Sequence, residues 1–200
     1  EDGQALEDGV RTAINDFVVG CKDDGIWSAI KAACILAGAR TLDGALVPLV
    51  GSAPTNNNFV SGDYDREDGL VGNGSTKYLD SNRAENADPQ DDNHLAANVI
   101  VHAGSSNRFI LSVFDNSISP ARATEIIDNY GVRSRSATAA FFTPQTPTFV
   151  GNNRNNGSTA EYRAHGITNS YASTKLAPFS FNYYVFLLNV QLSLISAVSH

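Results

Sequence analysis

The densest set of side chains that could do chemistry is an acidic run at residues 63–69, which reads Asp-Tyr-Asp-Arg-Glu-Asp-Gly. Asp63, Asp65 and Glu67 alternate, so on a strand their carboxylates would share one face. Such a face suits a calcium ion, and it also suits a glycosidase if two carboxylates lie about 5–9 Å apart. The run lacks the glycine and the distal glutamate of an EF-hand loop. A solvated turn without a ligand is the interpretation that the pattern favours.

A second oxygen-rich run lies at residues 88–94 and reads Asp-Pro-Gln-Asp-Asp-Asn-His. Its side chains suit a loop that caps its own backbone, which is the favoured interpretation. In a β-sandwich, alternate loops gather at one end, so the two runs could converge on a cation. The candidate calcium ligands are Asp63, Asp65, Asp88 and Asp91. No other cofactor is predicted.

No other pattern indicates catalysis. The four histidines belong to no metalloprotease motif and have no partner in a serine-hydrolase motif; they are His94, His102, His165 and His200. We therefore predict no catalytic residue and no enzyme activity. Tyr162 and Tyr171, together with the polar loop at residues 152–156, could present rings to the faces of sugars, but such loops are common in sandwiches. The glycan-binding residues themselves stay unassigned.

Charge and cysteine content narrow the class of protein further. The net charge is −7 with no run of Lys or Arg, which disfavours a nucleic-acid partner. Cys21 and Cys34 do not have zinc-ligand spacing and are predicted to be a small, buried apolar pair. The hydrophobic C-terminal stretch at residues 182–199 is interrupted by alternating polar residues, which favours a strand over membrane insertion.

The elements that must position these residues fall into two parts. Residues 5–20 have apolar side chains at three- and four-residue steps, which predicts an amphipathic helix. Residues 26–37 are apolar on most faces and predict a second, buried helix. After Pro48, turn clusters separate short apolar runs, as in a sandwich or jelly roll. The predicted strands are residues 59–60, 77–80, 95–101, 108–115, 138–142, 148–150, 161–165 and 183–194.

Several stretches of the first half resemble one family of domains. They are residues 14–17, 25–31, 39–42, 45–49, 53–56, 59–64, 69–80 and 86–90. They are similar to the concanavalin A-like (LamG-type) jelly-roll domains of structural and tail-associated proteins in tailed phages, notably marine and cyanobacterial ones. The resemblance covers roughly residues 7–105 well and the remainder loosely, and it brings no catalytic motif with it. It implies a helical lead-in over residues 1–45 and a jelly-roll domain over residues 46–200.

The expected fold is therefore mainly β, an antiparallel sandwich preceded by two short N-terminal α-helices. The expected function is a non-catalytic protein on the virion surface, in a tail fibre, a spike or a capsid decoration. Its expected partners are other virion proteins, further copies of itself through the apolar second helix, and host cell-surface polysaccharide. Two alternatives remain open: a polysaccharide-degrading enzyme that uses the Asp63, Asp65 and Glu67 face, and a bacterial cell-surface lectin-like domain.

Overall fold

The computed structural model describes residues 5–101, 109–115, 122–127, 131–141, 148–154, 158–164, 166–174, 176–178 and 180–198. Within these ranges the chain forms two α-helices, three single-turn 3-10 helices and fourteen β-strands. All of the strand pairings are antiparallel. No helix among the described residues has both the length and the apolar character to cross a membrane.

The helices are α1 (Asp8–Asp23) and α2 (Leu42–Ala45). The first seven strands are β1 (Ile30–Ile35), β2 (Pro48–Val50), β3 (Thr55–Asn57), β4 (Tyr64–Asp65), β5 (Gly69–Ala84), β6 (Asn93–Val101) and β7 (Phe109–Asp115). The last seven are β8 (Arg122–Ile127), β9 (Gly131–Ser136), β10 (Ala140–Phe141), β11 (Thr148–Arg154), β12 (Thr159–Ala164), β13 (Ile167–Ala172) and β14 (Asn182–Val198).

The long strand β14 belongs to both layers of a sandwich. Its first half pairs with β5 and β7, and β8, β9 and β10 follow in order to complete the first layer. Its second half pairs with β6 and β1, and β11, β12 and β13 extend the second layer beyond β6. The predicted fold class, a mainly β antiparallel sandwich with two N-terminal α-helices, is confirmed.

The interior of the first layer is an apolar row that the strand register aligns. The row consists of Leu79, Val185, Leu111, Ile126 and Val132, each paired with the next across neighbouring strands. All five are buried and belong to one hydrophobic cluster, to which β6 adds Leu95, Ala97 and Val99. Burial of this surface is the main force that holds the layers together.

Helix α1 packs on the outside of the sandwich through its C-terminal end. Cys21 is buried against Ile30 and Ala33 of β1, and Lys22 lies 5.6 Å from the ring centroid of Trp27. At the other end, Glu7 forms an ion pair with Arg40 (3.1 Å) and accepts a hydrogen bond from Arg66, which lowers the pKa of Glu7 to about 2. The prediction that both cysteines are buried is confirmed, and neither forms a disulfide bond.

The second helix predicted at residues 26–37 is wrong in its position. Trp27–Ala29 form one 3-10 turn, and Ile30–Ile35 form strand β1 between β14 and β2. Periodicity cannot separate a buried helix from a strand that is buried on both faces, and here pairing with β14 decides the outcome. The second helix is α2, at Leu42–Ala45. The apolar helix surface expected to drive self-association is therefore part of the sheet, while the domain division at residues 45 and 46 stays a prediction.

A buried charge network closes the end of the sandwich beside β9. The guanidinium of Arg135 is fully buried and donates hydrogen bonds to the backbone oxygens of Glu85 (2.7 Å), Asp88 (3.1 Å) and Pro89. The Glu85 carboxylate lies 3.7 Å from Arg135 and accepts a hydrogen bond from the Thr124 hydroxyl. Arg135 has a positive φ of 47°, which costs a non-glycine residue energy, so its contacts must hold it there.

We predict that Arg135→Met destabilises the fold by about 3–5 kcal/mol, because it leaves the Glu85 carboxylate buried without its counter-ion. Urea unfolding followed by circular dichroism measures the effect. Arg163→Met, at an exposed position on β12, is the matched control and should change the free energy of unfolding by less than about 1 kcal/mol. Equal stabilities of the two variants would show that the network does not hold the end of the sandwich.

Candidate functional site

The outer face of the first layer carries a row of polar side chains, which we call the polar row. It consists of Asp80, Tyr184, Ser112, Glu125 and Arg133, each paired with the next across β5, β14, β7, β8 and β9. Paired residues in antiparallel strands point to the same side, and the next residues along each strand point to the other. The polar row therefore lies on the opposite side of the sheet from the apolar row.

The polar row has a buried centre and accessible ends. Ser112 is 3% exposed and Glu125 is 0% exposed, whereas the Arg133 side chain is 25% exposed. Asp80 and Tyr184 are half-buried at the other end. Strands are about 4.8 Å apart, so the four steps from Asp80 to Arg133 span about 19 Å.

Glu125 is the most perturbed titratable group of the polar row. Burial raises its pKa to about 7, although the positive charge of Arg133 and the hydroxyl of Ser112 oppose the rise. Arg133 Nε lies 3.0 Å from Glu125 Oε1, which is an ion pair. A buried carboxyl with a pKa near neutrality is typical of functional sites, since it can both donate and accept a hydrogen bond there.

Aromatic rings lie at both ends of the polar row. Tyr78 and Tyr184 meet edge to face, with ring centroids 5.7 Å apart, and Tyr184 has a raised pKa because of partial burial and the charge of Asp80. Phe141, on β10 beyond Arg133, is 67% exposed, and Phe109, on β7 beside the middle of the row, is 39% exposed. Both lie beside Ile127, two residues beyond Glu125 on β8.

Gly131 makes room for the Phe141 ring. The two residues pair between β9 and β10, and a Cβ atom at position 131 would lie 3.1 Å from Ile127 Cδ1 and 3.5 Å from Phe141 Cε1. The first contact is tight, so a larger side chain would push Ile127 or Phe141 aside. The outer face thus combines exposed rings with the partly exposed polar groups of Asp80, Tyr184 and Arg133, an arrangement that suits a ligand with both apolar faces and hydroxyl groups.

The first predicted calcium loop uses its carboxylates to hold itself together. Asp63 lies 2.6 Å from Lys77 Nζ and accepts a hydrogen bond from the Val60 backbone amide. Asp65 accepts hydrogen bonds from the backbone amides of Glu67 and Asp68. These contacts lower the pKa of Asp63 and of Asp65.

The second predicted calcium loop is tied to the buried network instead. Asp88 is 4% exposed and forms an ion pair with Arg83, while Asp91 lies in the turn that follows. Among the described residues, no group of three or more His, Cys, Asp or Glu side chains is placed to hold a metal. Calcium binding at Asp63, Asp65, Asp88 or Asp91 stays a prediction; a cation at Asp63 would have to displace Lys77, and one at Asp88 would have to displace Arg83.

The tyrosines suggested as a sugar platform do come together, next to Phe141 of β10, where the Tyr162 hydroxyl donates a hydrogen bond to Phe141 O (3.4 Å). Tyr162 and Tyr171 have ring centroids 6.3 Å apart and pack against the hydrophobic core on β12 and β13. Of the associated loop, residues 155–157 lie outside the described part of the chain, as do His102, His165 and His200. Sequence reasoning missed the polar row because no motif links its residues, which come from five strands.

A small apolar cavity lies on the other side of the sheet. It has a volume of about 40 Å³ and is lined by Cys34, Leu95, Leu111 and Tyr183, among others. The Cys34 thiol there donates a hydrogen bond to Ala45 O (3.2 Å), and burial raises its pKa to about 12. A cavity of this size admits only a few water molecules, so it does not compete with the outer face for a larger ligand.

The fold is similar to parts of two solved structures. One is a Trypanosoma rangeli sialidase in complex with 2,3-difluoro-KDN, at 11% identity and a TM-score of 0.52, with 86% of this chain and 30% of that chain covered. The other is the binding domain of botulinum neurotoxin serotype D, at 11% identity and a TM-score of 0.56, with 88% of this chain and 49% of that chain covered. At this identity the likeness defines the class as an antiparallel β-sandwich and nothing narrower.

No protein-family model and no curated protein sequence matches the chain. The chain spans less than half of each of the two structures that it resembles. The functional evidence therefore comes from the outer face itself.

We predict that Glu125 makes stability depend on pH. Its pKa is about 7 in the folded state against 4.5 for an unperturbed glutamate, so the folded state binds the proton more tightly. This contribution is fully present below about pH 4.5 and is lost as the pH rises through about 7. The loss amounts to roughly 3 kcal/mol and is measured by urea unfolding at pH 5 and pH 9.

Glu125→Gln should remove most of that pH dependence and should be more stable than the unmodified protein at pH 9. Glu67→Gln, at an exposed turn position, is the matched control and should keep it. Parallel pH profiles for Glu125→Gln and the unmodified protein would contradict the assignment of this titration to Glu125.

Proposed function

We propose that this chain is a non-catalytic glycan-binding β-sandwich module whose binding surface is the polar row with its flanking rings. The observation that carries the proposal is the placement of Ser112, Glu125 and Arg133 between the tyrosine pair on β5 and β14 and the exposed Phe141 on β10, on one sheet face. Sugars present hydroxyl groups at their edges and C–H groups on their faces. Charged hydrogen-bonding side chains match the edges, and exposed rings match the faces.

The length of the polar row favours an oligosaccharide over a single sugar. A span of about 19 Å between Asp80 and Arg133 is longer than one sugar ring. In this arrangement Tyr184 and Phe141 stack on sugar faces at the two ends. The partly exposed Arg133 hydrogen-bonds to the hydroxyl groups of the sugars between them, and the buried Glu125 holds Arg133 in place from below.

Two features support a binding function over a catalytic one. The carboxylates of the polar row, Asp80 and Glu125, are three strands apart, or about 14 Å, whereas a glycosidase pair needs roughly 5–9.5 Å. The other carboxylate set, Asp63, Asp65 and Glu67, forms part of a turn in which Asp63 faces Lys77 and Asp65 caps backbone amides. A polysaccharide-degrading enzyme is the second candidate, favoured only by the perturbed pKa of Glu125.

The setting that we propose is the surface of a tailed-phage virion, as a tail-fibre, spike or capsid-decoration module. The resemblance of residues 7–105 to concanavalin A-like phage domains supports it. A sialidase and a toxin binding domain as fold neighbours agree with a sugar partner, by analogy of fold alone. The partners in this setting are other virion proteins and a host cell-surface polysaccharide, with no nucleic acid and no membrane insertion. A bacterial cell-surface lectin-like domain would use the same face.

We predict that Phe141→Ala weakens glycan binding at least tenfold, because it removes the most exposed ring beside the polar row. The measurement is calorimetric titration with oligosaccharides chosen by screening the intact protein on a glycan array. Phe181→Ala is the matched control, since Phe181 is 54% exposed, lies one residue before β14 and is not part of the polar row. It should bind like the unmodified protein.

Equal glycan affinities of the Phe141→Ala and Phe181→Ala variants would show that the polar row is not the binding surface. Loss of binding in a Tyr171→Ala variant, with Phe141→Ala unaffected, would transfer the site to the Tyr162 and Tyr171 pair. Release of reducing sugar from any array ligand, abolished by Glu125→Gln, would favour the enzyme. Labelled antibodies on intact particles would test the virion setting, which requires a regular array of copies on the surface.

A further inference from the structure

Strand β13 (Ile167–Ala172) forms an open edge of the second layer. It pairs with β12 at all six of its positions without a bulge, and the turn between them places Gly166 at a φ of 76°. Five of its six residues are exposed, including Ile167 at 62%, and only Tyr171 is half-buried. The far side of its backbone thus offers N–H and C=O groups that no described strand uses.

This edge lacks the features that usually prevent strands from associating. Its sequence, Ile-Thr-Asn-Ser-Tyr-Ala, has no charged residue and no proline. At the opposite end of the sheet path, the edge strand β10 has only two residues. The other short strands β2, β3 and β4 have three, three and two residues. Within the described part of the chain, β13 is the long uncharged edge.

We propose that β13 pairs antiparallel with β13 of a second copy of this chain, around a two-fold axis centred on Asn169. The occupant is a second copy because the edge is self-complementary. In this register Ile167 of each copy meets Tyr171 of the other, and Thr168 meets Ser170. An aromatic ring opposite a β-branched residue is a favourable cross-strand pair, and no like charges meet.

The pairing would join two sandwiches through their second layers and leave both polar rows free, since β13 and β9 belong to different layers. Under the proposed function, two binding faces in one dimer would raise the avidity for a repeating polymer. The inference does not depend on the proposed function, because the edge is defined by exposure and sequence alone.

The first test is the mass of the intact chain in solution, by light scattering at micromolar concentration. The expected result is twice the 21.3 kDa of one chain. Asn169→Lys places two ammonium groups opposite each other at the axis and should give a monomer. Asn15→Lys, an exposed asparagine on α1, is the matched control and should stay a dimer. A monomeric unmodified protein, or a dimeric Asn169→Lys variant, would overturn the proposal.

The second test fixes the register. Directly paired residues have Cα atoms about 4.5–5.5 Å apart, within the range of a disulfide, so Asn169→Cys should cross-link two copies under mild oxidation. The native Cys21 and Cys34 are buried and should not compete. Asn15→Cys is the matched control and should not cross-link above background. Equal cross-linking of the two variants would contradict a two-fold axis at Asn169.

Discussion

The structure depends most on the pairing of strand β14 with four other strands. Asn182–Val198 contribute their first half to the layer of β5 and β7 and their second half to the layer of β6 and β1. A strand that changes layer must bend, and the register shifts in its pairings with β5 and β6 are where that bend is absorbed. Strand β14 therefore lies at the centre of both layers, and its pairing with β1 joins two segments that are far apart in the sequence.

The buried network beside β9 fixes the positions of the residues that form the candidate site. Arg135 points inward and is held by the backbone oxygens of residues 85, 88 and 89, while Arg133, two residues earlier, lies on the outer face beside Glu125. The bulge between β8 and β9 allows residues so close in sequence to reach opposite faces. Fixing Arg135 therefore also fixes the charge that opposes the raised pKa of Glu125.

The sequence predicts the class and many of the strands of this fold better than it predicts the candidate site. Alternating apolar residues correctly locate β6, β7 and the long β14 and find four of the sixteen residues of β5, and three- and four-residue spacing locates α1. Strand β1 reads as a helix because the neighbouring Ala33 and Cys34, which point to opposite faces, are both buried, and this removes the two-residue alternation of a strand. Strands β8 and β9 were missed, since residues 131–136 read Gly-Val-Arg-Ser-Arg-Ser and hide their pairing beneath polar side chains.

Those missed strands carry Glu125 and Arg133, so the polar row could not be assembled from sequence. The conspicuous acids at residues 63–68 instead face Lys77 and backbone amides. The clusters of polar residues that stand out in the sequence form local turns. The candidate site instead consists of residues that the strand register aligns across five strands. Residues that become neighbours only through strand register have no characteristic spacing in the sequence, so no motif identifies them.

We propose the outer face of the first layer as the ligand surface. The most direct test is an NMR titration of the isotope-labelled protein with oligosaccharides that the intact chain retains on a glycan array. The account predicts that the largest amide shift changes fall on β5, β7, β8, β9 and the first half of β14, centred on Ser112 and Glu125. Changes confined to residues 63–69, to residues 88–92 or to the Tyr162 and Tyr171 hairpin would contradict it.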